Sequence, residues 1–204
     1  MTEKAAKALA VFQDAVTGQA AKTLSSGNEE AIGMAAALIQ QAEKAGGRVH
    51  VSGIGKPGHL AGYVASLLSS TGTPAYFLHG TEAVHGSCGQ LRQGDVVIFI
   101  SNSGETAEMK ATVLAVKNNG CHVIGVSGNE ESWLAKESAV HLLAAVDCEG
   151  GPLNRAPRNS ILAETLVLQE LSVVLQADRA ITPQESVQRH PGGALGKLRE
   201  GEAR

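Results

Sequence analysis

Five short segments of the 204-residue chain collect residue types that can hold an anion or move a proton. The first is Gly53-Ile54-Gly55-Lys56-Pro57-Gly58-His59, straight after a short apolar run. It satisfies GxGxxG, but the dinucleotide fingerprint also needs an acid about 20 residues on to hold the ribose. That place holds Leu78-His79, and the nearest acid is Glu82. Nor is it a Walker A loop, because Gly-Lys is followed by Pro57 rather than Ser or Thr. A tight turn with Pro57 at the first helical position explains the glycines and the proline. It leaves Lys56 over, and a cation beside glycines at a strand end suits a phosphate or an oxyanion.

The second segment is Ser101-Asn102-Ser103-Gly104-Glu105-Thr106. Three hydroxyls and free N–H groups at a helix start make a neutral cup for a phosphate. An ordinary N-cap at Ser103 would explain one of the hydroxyls but not Ser101 or Thr106. Glu105 reads as dipole-favoured surface, and Glu108, one turn on, as either a cleft acid or solvated charge. In the third, His79-Gly80-Thr81-Glu82-Ala83-Val84-His85-Gly86, the two histidines are six apart and do not share a helical face, so they form no metal site by themselves. His85, next to glycine at a strand end, is the candidate, against the plain reading of a hydrogen-bonding structural histidine. The fourth, Cys148-Glu149-Gly150-Gly151-Pro152, offers Glu149 as a general base or a turn acid. The fifth, His190-Pro191-Gly192-Gly193-Ala194-Leu195-Gly196, fixes a histidine among proline and glycines with no packing purpose of its own.

Positioning four of these loops requires strands. Val49–Ile54, Ala75–Leu78, Asp95–Ile100, His122–Val126 and Val140–Val146 are short apolar runs, and DVVIFI is uninterrupted and largely β-branched, as a doubly buried strand should be. Helical patterns separate them: one to Ser69, one over Glu105–Asn119, a short one at Ser132–Glu137 and a long one over Asn159–Ala177. The alternation predicts an α/β fold, a parallel sheet covered on both faces, with ligands beyond the carboxyl ends of the strands. Residues 1–45 read as two helices broken at Gly27-Asn28, a hairpin that covers a core or makes an oligomer contact. No internal repeat or linker divides the rest, which reads as a single unit over 46–204.

Composition narrows the functions. Lys and Arg number 17 against 20 Asp and Glu, a net charge of −3, and aromatics are 3%. A nucleic-acid platform needs basic stripes and stacking rings, and this chain lacks both. No apolar run approaches the roughly 20 residues of a membrane span, and the N-terminus has no cleavable apolar leader. Cys88, Cys121 and Cys148 are odd in number and lack CxxC spacing, which fits a reducing compartment rather than a disulfide framework or zinc site. A cytoplasmic enzyme or small-molecule binder remains.

Together, GIGKPGH, SNSGETAEM and RHPGGALG resemble the sugar isomerase (SIS) domain family and, more narrowly, its arabinose 5-phosphate isomerases, which start Kdo synthesis. The resemblance runs from about Val49 to Lys197. It implies a three-layer α/β/α sandwich on a five-stranded parallel sheet, assembled as a homotetramer with active sites at subunit interfaces. It places the family's catalytic residues on Lys56, His85, Glu108, Glu149 and His190, and its phosphate and substrate contacts on Gly55, Ser101, Ser103, Thr106 and Ser160. It implies no cofactor and no metal, a small phosphorylated sugar as partner, and neither nucleic acid nor membrane.

The chain departs from the family at Pro57, at Ser87, and around Arg155-Ala156-Pro157-Arg158-Asn159-Ser160, where two added cations could change which sugar phosphate, or which larger acidic ligand, is accepted. The regulatory CBS modules that many members carry are expected to be absent, because Arg204 follows Gly196 by only eight residues (204 − 196 = 8).

Aldose–ketose isomerisation moves a proton between C1 and C2 through an enediolate. Ser101, Ser103 and Thr106 would hold the phosphate, and Glu149 or Glu108 would take the carbon proton. Lys56 and His85 would polarise the oxygens, and His190 would assist ring opening or relay the oxygen proton, from a neighbouring subunit if need be. A non-catalytic sugar-phosphate sensor is the alternative, favoured by the altered Arg155–Asn159 loop and disfavoured by retention of all five catalytic positions. A dinucleotide oxidoreductase rests on the incomplete fingerprint alone.

Overall fold

The computed structural model describes residues 1–202; Ala203 and Arg204, the end of the predicted second unit, lie outside the described residues. The strands are β1 (Val49–Gly53), β2 (Ala75–His79), β3 (Val96–Ile100), β4 (His122–Ser127) and β5 (Val140–Leu143). The helices are α1 (Glu3–Leu24), α2 (Glu29–Lys44), α3 (Lys56–Ser70), α4 (Ala107–Asn118), α5 (Trp133–Glu137), α6 (Asn159–Asp178) and α7 (Pro183–Arg189). All four strand pairings are parallel, in the order β2-β1-β3-β4-β5. The chain therefore runs outward to β2 from β1 and outward to β4 and β5 from β3. The loops after β1 and β3 diverge, and the crevice between them is where an open sheet of this order takes its ligand.

Alternation along the strands builds two cores. Val49, Val51, Ile98, Ile100 and Val126 face α2, α3 and α6. Leu78, Val97, Phe99 and Val123 face Met109, Val113 and Val116 of α4 and Leu134 of α5. Every residue of β3 is buried, as its unbroken apolar run requires. By length and composition α6 could cross a bilayer. Here its Ala163, Val167, Leu168, Leu171 and Leu175 are buried in the first core.

The amino ends of β1 and β3 are tied by Asp95, which accepts from the backbone N–H of Arg48 (2.8 Å) and Arg92 (2.9 Å) and from His50 Nε2 (3.1 Å). Burial alone would raise the Asp95 carboxyl; these donors and the Arg48 charge outweigh it and hold the acid below its ordinary range. Burial is also the main influence on His50, and it keeps that ring neutral further down in pH.

The N-terminal hairpin has a specific job at the β5 edge. The Asn28 amide donates to Leu143 O (2.8 Å) and accepts from Leu143 N (3.2 Å). Gln19 repeats the pattern two residues on, donating to Ala145 O (2.9 Å) and accepting from Asp147 N (3.1 Å). Two side-chain amides thus satisfy backbone groups that a neighbouring strand would otherwise pair, closing an edge open to aggregation. This also explains why β5 ends at Leu143 rather than at Val146, as the apolar run suggests, and why Asn28 makes no cap bond to α2. Elsewhere the predicted elements shift by a residue or two. Helix α7 and the short 3-10 turns over Glu82–His85 and Ser87–Gln90 are additions that the sequence patterns did not mark.

Candidate active site

The β1–α3 turn is built by backbone lying on backbone. A Cβ on Gly53 would sit 2.7 Å from the Pro57 carbonyl carbon, and one on Gly80 would sit 2.6 Å from Gly53 O. Only hydrogens fit there, so the turns after β1 and β2 are locked together. Helix α3 begins at Lys56, which puts Pro57 second in the helix rather than first. Gly55, at φ +67°, precedes it and offers no side chain to cap the helix. The Lys56 side chain is exposed. Beside this turn lies a cleft of about 430 Å³, lined by Gly55, His59, Phe77, His79 and Thr81 among others.

Across the crevice, residues 101–106 remain a loop. Helix α4 starts at Ala107, two residues later than the pattern predicts, and its N-cap is Thr106, not Ser103. The reason lies in Glu105: its carboxylate accepts from Trp133 N (2.7 Å) and pairs with Lys110, drawing the chain away from the helix. No side chain caps α4, so its first-turn N–H groups are free for an anion. Ser101 Oγ accepts from Gly104 N (3.3 Å) and lies 3.5 Å from Thr106 Oγ1, while Ser103 Oγ accepts from Glu105 N (3.2 Å). The three hydroxyls therefore ring the open helix end.

The ring is braced from behind. Gly104, at φ +66°, packs so tightly that a Cβ would meet Ser132 Oγ at 2.4 Å. Ser132 lies 3.1 Å from Ser127 Oγ, which is 2.8 Å from His141 Nε2. Burial lowers the His141 pKa, so the ring stays neutral in this network.

His79 is spent locally: its Nδ1 accepts from the N–H groups of Thr81 and Glu82, both at 3.3 Å. His85 ends the 3-10 turn and is exposed. Thr112 of α4 donates to Gly80 O, holding that turn against α4, whose first turn carries the exposed Glu108. Glu149 is fastened at the third helix start. Its Oε2 accepts from Arg158 N (2.6 Å) and Ser160 N (3.2 Å), so the carboxylate caps α6 with one oxygen. Asn159 Nδ2 ties the same turn to Cys148 O (2.9 Å).

Lys56, Gly55, His85, the 101–106 ring, Glu108, Glu149 and Ser160 thus all stand at the carboxyl edge of the sheet. His190 does not. Helix α6 returns to the opposite edge, where Arg179 meets Thr73 (3.1 Å) just before β2 and pairs with Glu43 at the end of α2. Helix α7 and His190 follow from there, the His190 Nδ1 bonded to Ser186 O (2.9 Å). A second cavity of about 270 Å³ lies at that end, lined by Gln176, Ile181, Ser186 and Lys197 among others and by none of the expected site residues.

One acid in the region escaped the sequence patterns. Glu164 of α6 is wholly buried, and neither of its carboxyl oxygens has a partner among the described residues. Burial first, and the Glu149 charge second, push it up to about 8. Among the described residues no group of His, Cys, Asp and Glu could hold a metal ion.

In sequence and fold the chain is similar to several proteins. Arabinose 5-phosphate isomerase KdsD of Pseudomonas aeruginosa is 43% identical over 151 residues, which cover 74% of this chain and 46% of that protein. The chain thus spans a little under half the length of the curated relatives it matches. An Escherichia coli CFT073 protein solved in complex with A5P is 32% identical, with a TM-score of 0.82 over 94% of this chain and 100% of that one. A Bacteroides fragilis protein described as a "putative phosphosugar isomerase involved in capsule formation" is 33% identical, with a TM-score of 0.80 over 91% of this chain and 98% of that one. The SIS domain model matches residues 43–173, and the chain belongs to the SIS domain family.

Proposed function

We propose that this chain is a sugar-phosphate aldose–ketose isomerase that interconverts arabinose 5-phosphate and ribulose 5-phosphate. What carries the proposal is that an uncapped helix end ringed by hydroxyls, an exposed lysine and a fastened carboxylate all follow strand ends at the same edge of the sheet. The likeness to an A5P-bound protein over its whole length supports the same substrate class.

Ser101, Ser103, Thr106 and the N–H groups of α4 hold the phosphate, so binding energy at C5 positions the reacting carbons. Glu149 is the base. One oxygen is fixed by two N–H donors, which leaves the other to take the proton from C2 of the aldose and return it to C1. Glu108, with no such anchor, lies against the phosphate end. Lys56 and His85 stabilise the charge that develops on O1 and O2 in the enediolate. His190 reaches this crevice from a neighbouring copy in a homo-oligomer, a tetramer by the family pattern. The protein works in the cytoplasm, where arabinose 5-phosphate supplies Kdo synthesis.

Incubation with ribulose 5-phosphate in D2O tests this. Deuterium entering C1, with arabinose 5-phosphate appearing in the NMR spectrum, is the expected result. Thermal stabilisation by the sugar phosphate with no isotope exchange would sink the isomerase and select a sensor.

A further inference from the structure

The first turns of α6 hold four buried oxygens without partners among the described residues: Asn159 Oδ1, Ser160 Oγ and both oxygens of Glu164. Glu164 stands four residues after Ser160, on the same helical face and one turn deeper. Glu149 is fastened to the N–H groups of this same stretch of helix. Two carboxyl groups therefore belong to one rigid piece of structure, and only the outer one has donors.

Nothing nearby neutralises the inner one. Helices α1, α2 and α3 pack against α6, but their charges are engaged elsewhere or point outward. Lys22 pairs with Asp147, Glu43 with Arg179, and Glu29 acts on Glu170, while Lys56 is exposed. Among the described residues, Glu149 is the one charge that acts on Glu164, and it has the same sign. A buried ionised carboxylate with no protein donor and no counter-charge is very costly, so the group keeps its proton instead.

We propose that Glu164 is a neutral carboxylic acid that positions Glu149: while it holds its proton, Glu149 stays seated on the start of α6 as the sole negative charge. Loss of that proton puts a second charge one turn below and drives the Glu149 carboxylate off the Arg158 and Ser160 N–H groups. The two acids then titrate as a coupled pair. The positioning role rests on Glu149 being the base; the protonation of Glu164 does not.

The test separates these. An infrared titration of the wild-type protein should show the carbonyl band of an un-ionised carboxylic acid at neutral pH, disappearing with a midpoint near about 8. The band should be missing from Glu164→Gln. No such band in the wild type, or the same band in the variant, overturns the proposal. In turnover of ribulose 5-phosphate, the wild-type kcat should fall about fivefold from about pH 8 to about pH 9, with KM little changed, and the variant should lack this alkaline limb. Equal limbs in both proteins would make Glu164 structural only. If the variant does not fold, the wild-type infrared midpoint still decides, since every carboxyl titrating below about pH 6 refutes a held proton. If no sugar phosphate is turned over while the band behaves as expected, it is the proposed activity that fails, not the buried acid.

Discussion

Replacing Glu164 with glutamine should flatten the dependence of stability on pH. Burial, with the Glu149 charge as the smaller cause, moves this acid from 4.5 up to about 8 in the folded chain. The folded protein keeps a proton that the unfolded chain releases. For a raised pKa the stabilisation is fully present below about 4.5 and is lost as pH climbs to about 8, at about 1.4 kcal/mol per pH unit. From about pH 5 to about pH 7 the loss sums to about 2.5 kcal/mol, which in a domain of this size is about 5–10 °C in Tm. Glutamine has the same shape and nothing to titrate. Its amide is no better partnered than the acid, but that penalty is the same at every pH. Urea unfolding of both proteins, followed by circular dichroism in matched buffers across that range, isolates the slope. Asp95, His50 and His141 titrate in both proteins and cancel. The stability advantage of Glu164→Gln should widen by about 2.5 kcal/mol between the two ends. Parallel curves would show that Glu164 is ionised in the fold, and the reasoning from its burial would be wrong.

Gly104→Ala, at φ +66° and facing Ser132 Oγ at 2.4 Å, must distort the hydroxyl ring, and should weaken phosphate binding by calorimetry about tenfold or more while the far-ultraviolet spectrum is kept. Glu149→Gln retains an oxygen acceptor for the Arg158 and Ser160 N–H groups, so turnover should drop about a hundredfold or more with unfolding free energy changed by less than about 1 kcal/mol. A drop of only a fewfold would move the base to Glu108. Asn28→Ala leaves Leu143 N and O unpaired at the β5 edge and should cost about 2 kcal/mol in urea unfolding. If His190 reaches the site of another copy, mixing inactive Lys56→Ala and His190→Ala subunits should restore turnover, with about one site in four intact after random exchange. Lack of any recovery would confine His190 to its own protomer.

The sheet was legible because its strands are buried on both faces and spell that out as unbroken apolar runs; β3 is the clearest case. Its loops were legible because glycines concentrate where backbone lies on backbone, as at Gly53, and hydroxyls where a helix start is left open, as at Ser101. Two things were not. Glu164 lies in a helix that is apolar on nearly every side, so no 3.6-residue period reveals which of its few polar residues points inward. His190 follows a helix that reverses the chain, and spacing along a sequence does not say at which end of the sheet a returning segment stops.

The division of labour at the site follows from how three helix starts are capped. Helices α3, α4 and α6 all begin at the carboxyl edge of the sheet, and each presents unpaired N–H groups and a partial positive charge there. Had all three been open, an anion could settle at any of them. Glu149 closes α6. Gly55 and Thr106 give no side-chain cap to α3 and α4. The protein's own carboxylate therefore occupies the third anion position, and in the proposed isomerase this directs the phosphate to the open starts of α3 and α4. Under that proposal the group that takes a proton and the group that holds a phosphate are kept apart, with the sugar carbons between them.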